Sequence, residues 1–189
     1  MLPIHELPDR LETERFVLRS WLPGDGPALR ETLLASYAHL EPWMPWADPD
    51  PEADELAMRV RTFRADWLTG TNFVVAVFDP TETRVLGGTG FHTRDAPYDR
   101  GDAEVGMWIA APEAGKGLGQ AVLRSMLDWG FGTWGWHRLE WRCDAANIAS
   151  MRVAERCGLV HEATLRGCWG LKARGDVEIF ALTADQWRS

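Results

Sequence analysis

Cysteine is scarce, and its spacing is wrong for cross-linking. Cys143, Cys157 and Cys168 are an odd number with no C-x-x-C pair. Neither a disulfide frame nor a zinc site is expected, no metal is expected, and reduced thiols fit a cytoplasmic location. Positive charge is in deficit. Lys and Arg number 20 against 28 Asp and Glu, a formal net charge of −8. That argues against nucleic acid as a partner and suits ordinary solubility. No apolar run reaches the length of a membrane span, so no membrane partner is expected. Met1 to Arg10 has no basic start followed by an apolar stretch, and no signal peptide is expected. Internal repeats, low-complexity segments and linkers are missing too. The 189 residues are read as one domain, 1–189, with room for a real core.

Tryptophan is the exception to an ordinary composition, with eleven in the chain. Two of them fall in His39-Leu40-Glu41-Pro42-Trp43-Met44-Pro45-Trp46, where prolines exclude a regular helix. Aromatic rings in such a loop either pack onto the core or line a pocket. The remaining tryptophans are expected mostly in the core.

Periodicity lays out the elements. Arg15–Trp21 predicts a first strand. A helix capped by Asp25 runs to about Tyr37, with Leu29, Leu33 and Leu34 as its stripe. A second helix spans about Glu52 to Leu68, with Leu56, Val60, Phe63 and Trp67 on one face. Asn72–Phe78 and Arg84–His92 read as strands, and Gly87-Gly88 signals a bulge or a close backbone approach. Arg94–Gly101 is a polar loop. Ala103–Ala110 is a strand, followed by an amphipathic helix from Leu118 to about Phe131. Arg138–Cys143 is a strand, Ile148–Cys157 a helix stopped by Gly158, and Leu159–Leu165 with Val177–Leu182 a final strand pair. Gly167, Gly170 and Gly175 are placed in its connection.

The stretch Gly115-Lys116-Gly117-Leu118-Gly119 sits where the strand hands over to the helix. Glycine lets backbone N–H groups approach a bulky anion and permits positive φ. The first N–H groups of a helix lack partners, and its dipole favours negative charge. A strand, a glycine turn and a helix start therefore make a phosphate or pyrophosphate cradle, and Lys116 adds charge. A plain chain reversal is the alternative. A Walker A loop does not fit, because Ala111 stands four residues before Gly115 and Gly117 follows Lys116. A dinucleotide fingerprint lacks its third glycine, which is Gln120 here.

These residues resemble the central motif of the GNAT N-acetyltransferases. Glu104-Val105-Gly106-Met107-Trp108-Ile109 matches the strand, and Ala114-Gly115-Lys116-Gly117-Leu118-Gly119 matches [QR]-x-x-G-x-[GA]. Ala114 departs from the usual Gln or Arg. Leu11-Glu12-Thr13-Glu14-Arg15 with Val17-Leu18-Arg19 resembles the opening of the RimJ/RimL branch. Asn147-Ile148-Ala149-Ser150 resembles the family's N-x-x-S element.

The resemblance implies an α/β (α+β) fold with a mixed, mostly antiparallel sheet of about seven strands flanked by four helices. It implies acetyl-coenzyme A as donor and no metal. Backbone groups of Met107, Trp108 and Ile109 would pair with the pantetheine arm, and one N–H would stabilise the oxyanion. Gly115 to Gln120, with Ala114, would hold the pyrophosphate. Asn147 would bind pantetheine, although an N-cap is its ordinary role. Ser150 would sit near the sulfur, although a surface hydroxyl is the ordinary alternative. Glu104 is the first choice as proton acceptor, with Asp102, Glu41 and His92 behind it. Trp43 and Trp46 would border the acceptor, together with Glu41 and His92. The cysteines receive no catalytic role. The implied reaction acetylates a protein N-terminal amine by direct attack. Transfer to a small amine and a non-catalytic acyl-coenzyme A sensor are the alternatives. A homodimer is compatible with the family.

Overall fold

A computed structural model describes residues 2–94, 98–169 and 174–188. The chain passes through β1 (Arg10–Glu12), β2 (Val17–Ser20), α1 (Gly26–Leu40), α2 (Ala53–Thr69), β3 (Phe73–Phe78), β4 (Val85–His92) and β5 (Asp102–Ile109). It continues through α3 (Leu118–Trp129), β6 (Arg138–Asp144), α4 (Ile148–Arg156), β7 (Val160–Trp169), β8 (Arg174–Thr183) and α5 (Ala184–Arg188). The expected class of fold is present, with two corrections of count. The described sheet has eight strands, in the order β1-β2-β3-β4-β5-β6-β8-β7, and the described residues form five α-helices rather than four.

The extra strand is β1, which pairs antiparallel with β2 from Arg10↔Arg19 to Glu12↔Val17. Three residues are too few to show alternation. The pairing is held by backbone, with Ser20 N–H donating to Asp9 O at 2.8 Å and Thr13 N–H to Phe16 O at 3.0 Å. The extra helix is α5, five residues long. Thr183 and Gln186 cap it reciprocally: the Gln186 side-chain oxygen accepts from Thr183 N–H at 2.9 Å, and Thr183 Oγ1 accepts from Gln186 N–H at 3.4 Å.

The helices follow their apolar spacing, except that Leu34 of the expected α1 stripe is exposed and Leu40 is buried instead. Leu29, Leu33 and Leu40 are buried on α1, and Leu56, Val60 and Trp67 on α2. Leu118, Val122, Leu123, Met126 and Leu127 are buried on α3. Alternate residues of β3 serve two cores. Phe73, Val75 and Val77 face the cluster that includes α3, whereas Ala76 and Phe78 face the one beneath α1 and α2. The sheet thus separates α1 and α2 from α3, as a half-alternating central strand requires.

Asp25 does not cap α1 with its side chain. Its carboxylate instead accepts two bonds from the Arg19 guanidinium, at 2.8 and 2.9 Å, and one from Leu22 N–H at 2.8 Å. A buried guanidinium needs its partners more than an exposed helix end does. Of the two Gly87-Gly88 readings, close approach is met, and the bulge falls one residue earlier, at Leu86. A register shift falls at Val77/Phe78, where Leu86 is skipped. At Gly87 an added Cβ would meet Trp108 O at 2.4 Å, and at Gly88 it would meet Trp108 Nε1 at 2.5 Å. Gly167 and Gly175 lie within β7 and β8 rather than between them, and Gly170 lies outside the described residues.

The join between β5 and β6 positions the site. These strands run parallel and pair only at Asp102↔Arg138, Ala103↔Leu139 and Glu104↔Glu140. Beyond Glu104, β5 keeps β4 as its neighbour as far as Ile109, while β6 stays with β8 through Asp144. The outer edge of Val105–Ile109 therefore faces a gap in the sheet.

Candidate active site

A cavity of about 880 Å³ occupies that gap. One part is built from β5, the loop after it and the start of α4. The other is built from α1, α2, the loop between them and the ends of β3 and β4.

In the first part, Gly115 and Gly117 have φ of +75° and +77°. An added Cβ at either would find open space, with nothing within 4 Å. Gly117 is the N-cap of α3 and supplies no side-chain cap to the first N–H groups. A bare helix start with left-handed glycines and free volume fits a phosphate group. Gly119 differs: its Cβ position lies 3.6 Å from Ile109 and 3.9 Å from Val153, and its φ is not positive. Ala114, Gly115, Gly117, Leu118, Gly119 and Gln120 line the cavity. Lys116 is exposed and lies 3.4 Å from Glu113.

Met107, Trp108 and Ile109 line it from the open strand edge, and Asn147 and Ser150 from α4. Asn147 Oδ1 accepts from Ser150 N–H at 3.1 Å, so its ordinary capping role is realised. Ser150 Oγ accepts from Trp141 Nε1–H at 3.0 Å. Cys143 lies beside Ser150, and burial pushes its thiol pKa up, keeping it protonated. Two residues missed in sequence are Arg152 and Arg156, one turn apart on α4 and both lining the cavity. Their i,i+4 spacing was visible, but nothing tied it to the glycine loop 35 residues earlier.

The second part is walled by Trp21, Leu33, Trp43, Met44, Trp46 and Phe63. Trp46 meets Trp108 edge-on at 5.8 Å. Both tryptophans of the proline-bearing loop therefore face the cavity. Glu41 ends α1, where its N–H donates to Tyr37 O at 2.8 Å, and lies outside the cavity lining. Asp102 is exposed at the start of β5, also outside the lining.

Glu104 and His92 are cross-strand partners and both line the cavity. Glu104 is 6 % exposed. Arg94, another residue missed in sequence, grips both its oxygens, with Nε donating to Oε2 at 2.8 Å and Nη2 to Oε1. Arg142 Nε stands 3.5 Å from Oε2. His92 Nδ1 lies 2.8 Å from Asn72 Oδ1. Burial pushes the imidazole pKa down, Glu104 opposes that shift, and Arg94 adds to it.

The cavity thus joins a sheet split to a glycine-led helix start in a mixed α/β fold. Residues 15–160 match the model of the Acetyltransferase (GNAT) domain, and the chain belongs to that family of acetyltransferases. It is 26 % identical over 182 residues to YdaF of Bacillus subtilis (strain 168), whose name assigns it provisionally as a ribosomal N-acetyltransferase; the match covers 92 % of this chain and 94 % of YdaF. In fold it is similar to the ribosomal-protein-S5-alanine acetyltransferase from Vibrio fischeri, with TM-score 0.80 and 20 % identity over 95 % of this chain and 99 % of that one. It is likewise similar to RimL, a ribosomal L7/L12 alpha-N-protein acetyltransferase solved with coenzyme A, with TM-score 0.81 and 19 % identity over 95 % and 98 %. Among the described residues no helix is long and apolar enough to cross a membrane, and no cluster of ligating side chains could hold a metal ion.

Proposed function

We propose that this chain transfers acetyl from acetyl-coenzyme A to a primary amine, and that the amine is the N-terminus of a protein. The observation carrying this reading is the unpaired edge of Val105–Ile109, which runs directly into the Gly115–Gly117 turn at the start of α3. An extended amide-bearing arm pairs with such an edge as an added strand does. A pyrophosphate suits the helix start. Met107, Trp108 and Ile109 would hold the arm, residues 114–120 the pyrophosphate, and Asn147 and Ser150 the thiol end. Arg152 and Arg156 add cationic charge to the cavity wall. When bound, the donor supplies an activated acetyl group. The chain's own part is to align it, exclude water and manage the proton of the amine.

The second part of the cavity supports this acceptor class. Its wall is aromatic and apolar, which suits the first residues of a peptide bearing small or apolar side chains. A polyamine would call for several uncommitted carboxylates. Glu104, which lines the cavity beside His92, is already gripped by Arg94. The names of YdaF, RimL and the Vibrio fischeri protein point the same way.

Calorimetry with acetyl-coenzyme A, coenzyme A, ATP and NAD tests the donor. Mass spectrometry on peptides beginning with Ala, Ser or Met, alongside spermidine, tests the acceptor. The expected result is selective donor binding and acetylation at peptide α-amines. Preference for ATP or NAD would overturn the donor assignment, and acetylation of spermidine alone would overturn the acceptor class.

A further inference from the structure

We propose that His92, oriented by Asn72, is the group that takes the proton from the acceptor amine, and that Glu104 acts as a positioning residue for the imidazolium that results. The proposal rests on the acetyl-transfer reading above and assigns the proton that this reading leaves unplaced.

The geometry begins with Asn72, just before β3. Its Oδ1 lies 2.8 Å from His92 Nδ1. An amide oxygen only accepts, so the ring nitrogen facing it carries the hydrogen. In a neutral ring the lone pair then resides on Nε2. Nε2 stands over Gly106, 2.8 Å from where a Cβ would be. Any larger residue at 106 would displace the ring. Among the described residues no hydrogen bond or ion pair engages Nε2. His92 and Gly106 both line the cavity, and Gly106 belongs to the open strand edge.

Glu104 is placed differently. Its two oxygens both accept from the Arg94 guanidinium, and Arg142 approaches from β6. Both oxygens are thus committed to charge-assisted bonds from a guanidinium that holds them in place. The negative charge of Glu104 still favours a cation on its cross-strand partner. The charged groups acting on His92 are Glu104 from β5 and Arg94 from the loop after β4. Asn72 from the β3 side is uncharged, and Arg59 of α2 and Arg142 of β6 are further cations on the cavity wall. Burial keeps the ring neutral near pH 7, ready to accept.

The step balances. The acceptor ammonium gives one proton to Nε2 of His92. The freed nitrogen lone pair forms the N–C bond to the acetyl carbonyl carbon. The C–S bond breaks with its electron pair on sulfur, and the thiolate takes up the second proton of the attacking nitrogen, which leaves a neutral amide and a thiol. The imidazolium returns its proton to solvent, with no oxidant or reductant involved.

Two measurements test this. The first uses the protein alone. Long-range proton–nitrogen NMR of the 15N-labelled chain reads the tautomer of His92 at pH 7. The expected ring is neutral with hydrogen on Nδ1, and Asn72→Ala shifts it toward the Nε2–H form. An Nε2–H or doubly protonated ring in the wild type overturns the proposal, whatever the enzyme acetylates. The second uses acetyl-coenzyme A and a synthetic hexapeptide beginning with alanine. His92→Gln is expected to lower kcat by about 100-fold, with Asn72→Ala costing about tenfold. Donor Kd should stay within about twofold in both. Raising the pH should partly rescue His92→Gln, because more of the amine is then already deprotonated. Glu104→Gln should move the acidic limb of kcat/KM to lower pH and cost less than His92→Gln. Loss of turnover in Glu104→Gln with His92→Gln within threefold of wild type overturns the proposal. Failure of the wild type to bind acetyl-coenzyme A removes the underlying reading instead. The tautomer, read without any ligand, keeps the two failures apart.

Discussion

The indole N–H of Trp141 donates a 3.0 Å hydrogen bond to Oγ of Ser150. It ties β6, on the far side of the sheet gap, to the first turn of α4. Ser150 N–H is fixed as well, by Asn147 Oδ1 at 3.1 Å. The hydroxyl is therefore located by two neighbours that both line the cavity. Trp141→Phe keeps the ring and removes the donor. It should cost about 1 kcal/mol of stability and lower kcat about fivefold, with donor affinity nearly unchanged. Ser150→Ala should have a similar effect on kcat, and the double variant should be no worse than Ser150→Ala alone. Additive losses in that cycle would mean that the bond does not position the hydroxyl.

Gly117 and Gly119 should separate by role. Gly117 has φ +77° and an open Cβ position. Gly117→Val adds about 1–2 kcal/mol of backbone strain and fills the anion volume. Donor affinity should fall at least about 30-fold, which is about 2 kcal/mol. Gly119 is helical with ordinary contact distances, so Gly119→Ala should leave donor affinity within about threefold and raise stability by up to about 1 kcal/mol. Isothermal calorimetry and urea unfolding decide both. Equal losses from the two variants would contradict the cradle geometry.

Gly88 makes room for Trp108. A Cβ there would lie 2.5 Å from Trp108 Nε1, and Trp108 is the partner of Trp46 at 5.8 Å. Gly88→Ala should push the indole into the cavity at about 1–3 kcal/mol of stability. Peptide KM should rise more than donor Kd. A change confined to the donor would place Trp108 on the wrong side of the site.

Glu82 links the first strands to the β3–β4 turn. Its oxygens accept from Arg10 and Arg19, each at 2.7 Å. Those bonds hold its pKa at about 2, down from 4.5. A depressed carboxylate pKa stabilises the fold above the unfolded value and loses that contribution as pH falls through the folded one. Glu82→Gln should therefore be less stable at pH 7 by about 1–2 kcal/mol, allowing for solvent screening. The gap should shrink between about pH 4.5 and pH 2. Urea midpoints at pH 7 and pH 3 check this, and a constant gap would show that the charge is not responsible.

The helices were legible because each carries its own apolar stripe: Leu56 and Val60 on α2, or Val122 and Met126 on α3, need no distant partner to reveal the period. The glycine turn was legible for the same reason, since strand, turn and helix are contiguous. α5 had a readable signal in Thr183-x-x-Gln186. β1 had none, because three residues cannot alternate and only main-chain bonds hold them. Asp25 looked like a cap in isolation. Its carboxylate was claimed by Arg19, which lies six residues earlier and is buried by packing that no local window contains.

The amino-acid order by itself determined the succession from β2 to β8, the glycine turn before α3 and the residue types available for acyl-transfer chemistry. These depend on neighbours a few residues apart. The tertiary structure alone decided where β5 parts from β6, that Arg94 takes Glu104, and that Asn72 meets His92 at a distance of twenty residues. The sheet register sets those encounters. It is fixed by burial of two cores at once, and burial is a property of the whole chain.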